Sequence, residues 1–246
     1  MDKRSKEVMK NLIENALTDE DVFEFGCVQC GECCRNRHDI LLNPHDLYRI
    51  AGFLKMELQE VIEKYCETYI GDNSRLPVVR VKSKIHNEVC AFLRNGKCGI
   101  HGAKPAVCAL FPLGRAVSPI GEIRYFLQKV ECAAKDTKIK VHDWLEMFQL
   151  KESEEPARKW VIVCARLAVA KQKCKIDPDA EEKLNQMLYS VLYLAYDTSS
   201  DFVAQFEKNA AAAEIIFEKI TGKSVEKLLK GVKLYSFSDV KYMKKQ

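Results

Sequence analysis

Four cysteines crowd into eight residues at Cys27-Val28-Gln29-Cys30-Gly31-Glu32-Cys33-Cys34. Two residues between sulfurs let a tight turn aim both at one metal ion, and Gly31 supplies backbone freedom for a second turn. A C-x2-C-x2-C run also fits three corners of a four-iron cluster whose fourth corner comes from a distant cysteine. The spacing is not the C-x3-C-x2-C of radical S-adenosylmethionine enzymes. Left bare, so dense a set of thiols is an oxidation liability, and the pattern therefore points to a bound metal.

A second set of donors follows as Cys90-x7-Cys98-x2-His101-x6-Cys108, with Pro105 and Pro112 alongside and Cys132 further on. Cys98-Gly99-Ile100-His101 has the short spacing of a mixed sulfur and nitrogen knuckle. Together Cys27, Cys30, Cys33, Cys34, Cys90, Cys98, His101, Cys108 and Cys132 are nine candidate donors, whereas one tetrahedral ion takes four. Two sites, a polynuclear centre, or one site with bystanders all satisfy that count. Adjacent Cys33 and Cys34 are not expected to point the same way, which favours more than one metal or a split of roles. Thiolates suit zinc and iron alike. The three-cysteine run with a remote fourth inclines the choice toward an iron–sulfur cluster of the [4Fe-4S] type.

These residues carry a family resemblance. Cys27-x2-Cys30-x2-Cys33-Cys34, Cys90-Ala91-Phe92-Leu93, Cys98-Gly99-Ile100-His101 and Lys104-Pro105-x2-Cys108-x2-Phe111-Pro112 look like the CxxCxxCC zinc- or iron-chelating domain. That family includes the flagellin lysine N-methylases. Its histidine position is tyrosine or histidine, here His101, and it usually has arginine where this chain has Lys104. The resemblance spans about residues 25–135 and implies metal binding; it is the main reason to count Cys132 among the ligands. It also brings methyl transfer from S-adenosylmethionine to a protein lysine as an activity to consider. No strand followed by a Gly-rich turn and an acidic strand end is visible for a methyl donor.

The whole chain has 246 residues, 47% hydrophobic and 30% charged, which excludes wholesale disorder. Its net charge of +4 is spread rather than concentrated, so no nucleic-acid partner is expected. No run approaches a membrane span, and Met1-Asp2-Lys3-Arg4-Ser5-Lys6 opens no secretory signal, so a cytoplasmic protein without a membrane partner is expected. Eleven cysteines is an odd number, which argues against a complete disulfide framework. Cys66, Cys164 and Cys174 fall in helix-like stretches and are expected to be buried apolar residues. His38, His45, His86 and His142 are expected to be surface or capping residues, and Arg35 and Arg37 a solvated pair.

The elements that must position the donors are those of an α+β protein. Residues 1–24 read as an N-terminal helical lead-in, 25–138 as a cysteine-rich metal domain with short hairpins, and 139–246 as a helical region. Asn43-Pro44 predicts a helix start with Leu47, Ile50 and Ala51 turned inward. Met56 to Ile70 predicts a second helix. Residues 77–82 and 89–93 read as strands, and Asn95-Gly96 predicts a hairpin with Leu93 opposite Cys98. A second hairpin is predicted across residues 118–121. Helices are expected from about 144, 155, 177 and 201. Three functions fit: an iron–sulfur or other metal protein with a redox or group-transfer role, a structural zinc module whose helical part binds a partner, or a methyltransferase acting on a protein lysine.

Overall fold

A computed structural model describes residues 12, 15–26, 31–35, 39–84, 89–128 and 134–239. The α+β expectation holds. Strand β1 (Val22–Gly26) pairs antiparallel with β9 (Ala134–Lys140). Strands β2 (Leu41–Leu42), β3 (Cys66–Ile70) and β4 (Pro77–Val81) form a sheet in the order β2-β4-β3. Two hairpins complete the strand pairs, β5 (Leu93–Arg94) with β6 (Lys97–Cys98) and β7 (Leu113–Val117) with β8 (Ile123–Leu127).

Both predicted hairpins form, the first in the expected register. Asn95 and Gly96 take φ of 48° and 75°, the left-handed pair that a two-residue turn demands, and Leu93 faces Cys98. Arg115 faces Tyr125 across the second hairpin, and Ser118 Oγ accepts the Glu122 N–H inside its turn.

Helix α1 (Pro44–Leu54) begins as its sequence requires. The Asn43 side chain accepts the Asp46 N–H at 2.8 Å, Asp46 returns a bond to the Asn43 N–H, and Pro44 occupies the first turn. Leu47, Ile50 and Ala51 are fully buried. Helix α2 (Leu58–Tyr65) is shorter than predicted. Residues 66–70 leave the helix and form β3, because Thr68, Tyr69 and Ile70 find partners along β4. Cys66 is therefore a buried strand residue rather than a helical one, although its apolar role stands; burial pushes its thiol up to about 12. Most of the stretch 89–93 is also not a strand; β5 begins only at Leu93. Val89 and Cys90 make single bridges to Arg35 and Ser83, and a turn follows.

Most of the expected lead-in helix lies outside the described residues; at Leu17 the chain is extended and bridges Tyr125. Helix α3 (Ala106–Leu110) sits in the cysteine-rich part. The later helices are α4 (Val141–Met147), α5 (Glu154–Lys173), α6 (Pro178–Tyr189), which runs on through a π turn at Ser190–Leu194, α7 (Phe202–Thr221) and α8 (Val225–Leu229). Asp177 and Asp201 cap α6 and α7 through side-chain oxygens.

One apolar core joins the β2-β4-β3 sheet and α1 to α5, α6 and α7, through Val79, Leu47, Leu167, Leu188 and Phe206 among others. Lys171 reinforces this junction. Its ammonium is completely buried between the Asn185 amide, the Arg75 carbonyl and Glu181, and such pairs are costly to break. A second core gathers Phe23 and Phe25 of β1 with Leu113, Leu145 and Trp144, whose indole N–H donates to the Leu110 carbonyl at 3.0 Å. Helix α3 lies between these cores.

Asp46 links α1 to α3. It is buried, and its second oxygen accepts the Ala106 N–H at 2.7 Å, so one carboxylate serves the first turns of both helices. Burial raises its pKa even though the two N–H donors act to lower it. The raised value favours the folded state at acid pH, and that contribution is lost as pH rises through the folded-state pKa. Asp46→Ala, which orphans two buried N–H groups, is expected to cost about 2–4 kcal/mol in urea unfolding. Asp46→Asn is expected to cost less, and the wild-type advantage over it to shrink between acid and neutral pH.

Candidate metal centre

Gly31 sits at φ 75°, and a Cβ there would approach the Gly96 carbonyl oxygen to 3.0 Å. Glycine is thus needed twice, for the left-handed turn and for the approach of the first cysteine run to the Asn95-Gly96 hairpin. After Gly31 the chain makes a 3-10 turn at Glu32–Cys34. The Cys90 N–H then donates to the Cys34 carbonyl at 2.8 Å, while Arg35 bridges Val89. Residues 56 positions apart in the chain become neighbours through that bond.

Two of the cysteines sit in backbone knuckles. The Cys90 sulfur accepts the N–H of Phe92 while the Leu93 N–H donates to the Cys90 carbonyl at 2.9 Å, and the Cys98 sulfur accepts the N–H of Ile100. Donors aimed at sulfur favour thiolate over thiol, which is what metal ligation requires. Cys108 reaches the same place from α3, the helix that Asp46 caps. His101 follows the second knuckle in a 3-10 turn, with Gly102 lying against the Phe53 ring.

Cys33, Cys34, Cys90, Cys98, His101 and Cys108 all line one cavity of about 240 Å³. Its apolar wall includes Ile40, Val81, Phe92, Ile100 and Phe111, and Lys97 and Lys104 stand on its polar side. Six of the nine residues singled out in the sequence are therefore brought together. Cys27, Cys30 and Cys132 lie outside the described residues, as do His38, His86 and Arg37. Among the described residues, no three His, Cys, Asp or Glu side chains are close enough to hold one ion.

The electrostatics fit a cation in that space. The Cys34 thiol is pushed far up, first by its hydrogen bond with Cys33 and then by burial, with Cys33, Cys90 and Cys98 adding repulsion. Burial likewise raises Cys90 and Cys98, and the charge of Cys98 adds to the shift on Cys90. Each thiolate thus disfavours the next, a conflict that a metal ion removes. The Cys33–Cys34 hydrogen bond also corrects the expectation that these neighbours diverge: the 3-10 turn lets the two side chains meet. Lys104 lowers the His101 pKa, keeping more of the imidazole in the neutral form that ligates metal.

Several contributors had no local signature in the sequence. Asp46 reads as a simple cap, and nothing near it announces the bond to Ala106 sixty residues away. Arg35 is exposed, as expected, and forms a surface ion pair with Glu32 at 3.3 Å. His45 is neither a surface nor a capping residue. Its ring rests on Phe202 at 4.8 Å, and burial lowers its pKa to about 4.

Comparison with known proteins agrees with this geometry. Residues 26–135 match the CxxCxxCC family, described as a zinc- or iron-chelating domain. Over this segment the chain is similar to the CxxCxxCC domain. The match contains all nine candidate donors and begins and ends on the paired strands β1 and β9. An uncharacterised protein of Methanocaldococcus jannaschii is 32% identical over 107 residues, covering 41% of this chain and 53% of that protein. The chain thus spans about half the length of this curated relative. No solved structure matches the chain. Among the described residues, no helix is long and apolar enough to cross a membrane.

If the CxxCxxCC domain is held by metal through these residues, Cys98→Ser and Cys30→Ser should each lower the metal content per chain and the melting temperature. Cys174→Ser, in the apolar core, should leave metal content unchanged. Elemental analysis with thermal unfolding of the three variants checks this.

Proposed function

We propose that the CxxCxxCC domain holds a polynuclear, thiolate-bound metal centre, with an iron–sulfur cluster of the [4Fe-4S] type favoured over zinc, and that the protein uses it in a redox role in the cytoplasm. The observation that carries this reading is that five cysteines and His101 line one cavity, more donors than the four a single tetrahedral ion takes. A cluster of several metals can engage a larger set of sulfurs around one space.

Chain connectivity supports adding the remaining cysteines. Gly26 pairs with Ala134 across β1 and β9. In the sequence Cys27 follows Gly26 directly and Cys132 precedes Ala134 by two residues, and both fall within the matched span of 26–135. When bound, an iron–sulfur cluster supplies one-electron chemistry. The chain's own part is to bury it against Ile40, Phe92 and Ile100, to direct N–H groups at Cys90 and Cys98, and to offset thiolate charge with Lys97 and Lys104. These are the levers that tune a cluster's potential.

A structural zinc module is the second reading, and the N–H···S knuckles at Cys90 and Cys98 favour it as much as iron. Methyl transfer rests on the resemblance to flagellin lysine N-methylases.

Protein purified without oxygen is expected to be brown, with iron and acid-labile sulfide in matching amounts and a spectrum bleached by dithionite. Colourless protein with stoichiometric zinc would replace the redox reading with the structural one. Protein that takes up neither metal on reconstitution would overturn both. Saturable binding of S-adenosylmethionine to the metal-loaded protein would move methyl transfer forward.

A further inference from the structure

A second cavity lies on the other side of α3 from the cysteines. Cys108 faces the metal cavity, while Ala106, Val107 and Leu110 face this one. Its opposite wall is α5, with Trp160, Val161 and Cys164, and β7 closes it with Leu113 and Arg115. At about 450 Å³ it falls within the size range of small-molecule sites, and like them it is mostly apolar with few polar groups.

Arg115 gives the cavity its character. One guanidinium nitrogen donates to the Ser153 hydroxyl at 2.9 Å, and the group also donates to the Tyr125 hydroxyl opposite it in the hairpin. Both partners are neutral oxygens. Tyr125 passes its own proton toward Glu154 at 2.7 Å, so that carboxylate is engaged through the phenol. The Asp46 carboxylate, which lines the same cavity, accepts the N–H groups of Asn43 and Ala106 and feels the Arg115 charge without a direct hydrogen bond to it. Arg115 is thus a half-buried, permanently charged group at the edge of a mostly apolar chamber. A guanidinium so placed gains from an anion that can accept two parallel N–H bonds.

We propose that this cavity binds a small organic acid, with the carboxylate paired to Arg115 and an apolar body lying against Trp160 and Val107. The site is independent of which metal the cysteines hold. Its contact with α3 places the acid one helix away from Cys108, and the acid's charge and apolar body, rather than a specific hydrogen-bonding pattern, set selectivity.

Hexanoate and 1-hexanol are suitable probes, titrated into the metal-loaded full-length protein by calorimetry, with Trp160 fluorescence as a second readout. Hexanoate should saturate with a Kd at or below about 1 mM, and hexanol should bind at least about tenfold more weakly. Arg115→Gln should weaken hexanoate to the level of hexanol. Val161→Phe, which fills the chamber from α5 without touching the guanidinium, should abolish both, and it tests the site even if Arg115→Gln fails to fold. The fluorescence response should vanish in Trp160→Phe while calorimetric binding persists. Absence of saturation up to about 20 mM, equal binding of the acid and the alcohol, or unchanged binding in Val161→Phe would each overturn the proposal.

Discussion

Sulfur atoms that repel one another once ionised are gathered around one space, and much of this structure exists to hold them there. Cys33 and Cys34 arrive on a 3-10 turn, Cys90 and Cys98 on backbone knuckles, and Cys108 on a short helix. None of these carriers is stable alone: the turn is three residues, the hairpin has two-residue strands and the helix has five residues. They are held by contacts outside themselves. Gly31 abuts the Gly96 carbonyl, Cys90 bonds the Cys34 carbonyl, and Asp46 caps Ala106. A bound cation turns the remaining thiolate repulsion into attraction, which couples metal binding to the order of the whole segment.

The two apolar cores act as a frame for this fragile centre. The larger one fixes β4, α1 and the Phe92–Ile100 wall against α5, α6 and α7. The smaller one fixes β1, β7 and α4. Helix α3 is held between them, with Ala109 and Leu110 in the smaller core and Cys108 against the larger. This explains why a motif of about 110 residues is accompanied by a helical region with no motif of its own. That region supplies buried surface which the cysteine-rich segment, with its short strands, lacks. The same sandwiching of α3 leaves room behind it for a second chamber whose polar corner is Arg115.

Much of this was legible locally. The Asn43-Pro44 start, the Asn95-Gly96 hairpin with Leu93 opposite Cys98, and the Asp177 and Asp201 caps follow from turn and capping chemistry within a few residues. Local reading failed where partners decided. Residues 66–70 continue a helical pattern but become a strand because β4 is there to pair with them. Residues 89–93 look like a strand, yet Cys90 is committed to a knuckle and a bond with Cys34.

For the site, the sequence alone supplied the candidate donors and their chemistry: sulfur and imidazole at spacings that suit soft metal ions, which depend only on residue type and chain distance. Tertiary structure decided which of the described candidates share a space, that Gly96 and Lys104 line it with them, and that Asp46 holds the helix carrying Cys108. It alone also placed Arg115 beside Trp160. Those facts arise from contacts between residues tens of positions apart, set by how the cores bury their apolar surface, and no local pattern encodes them.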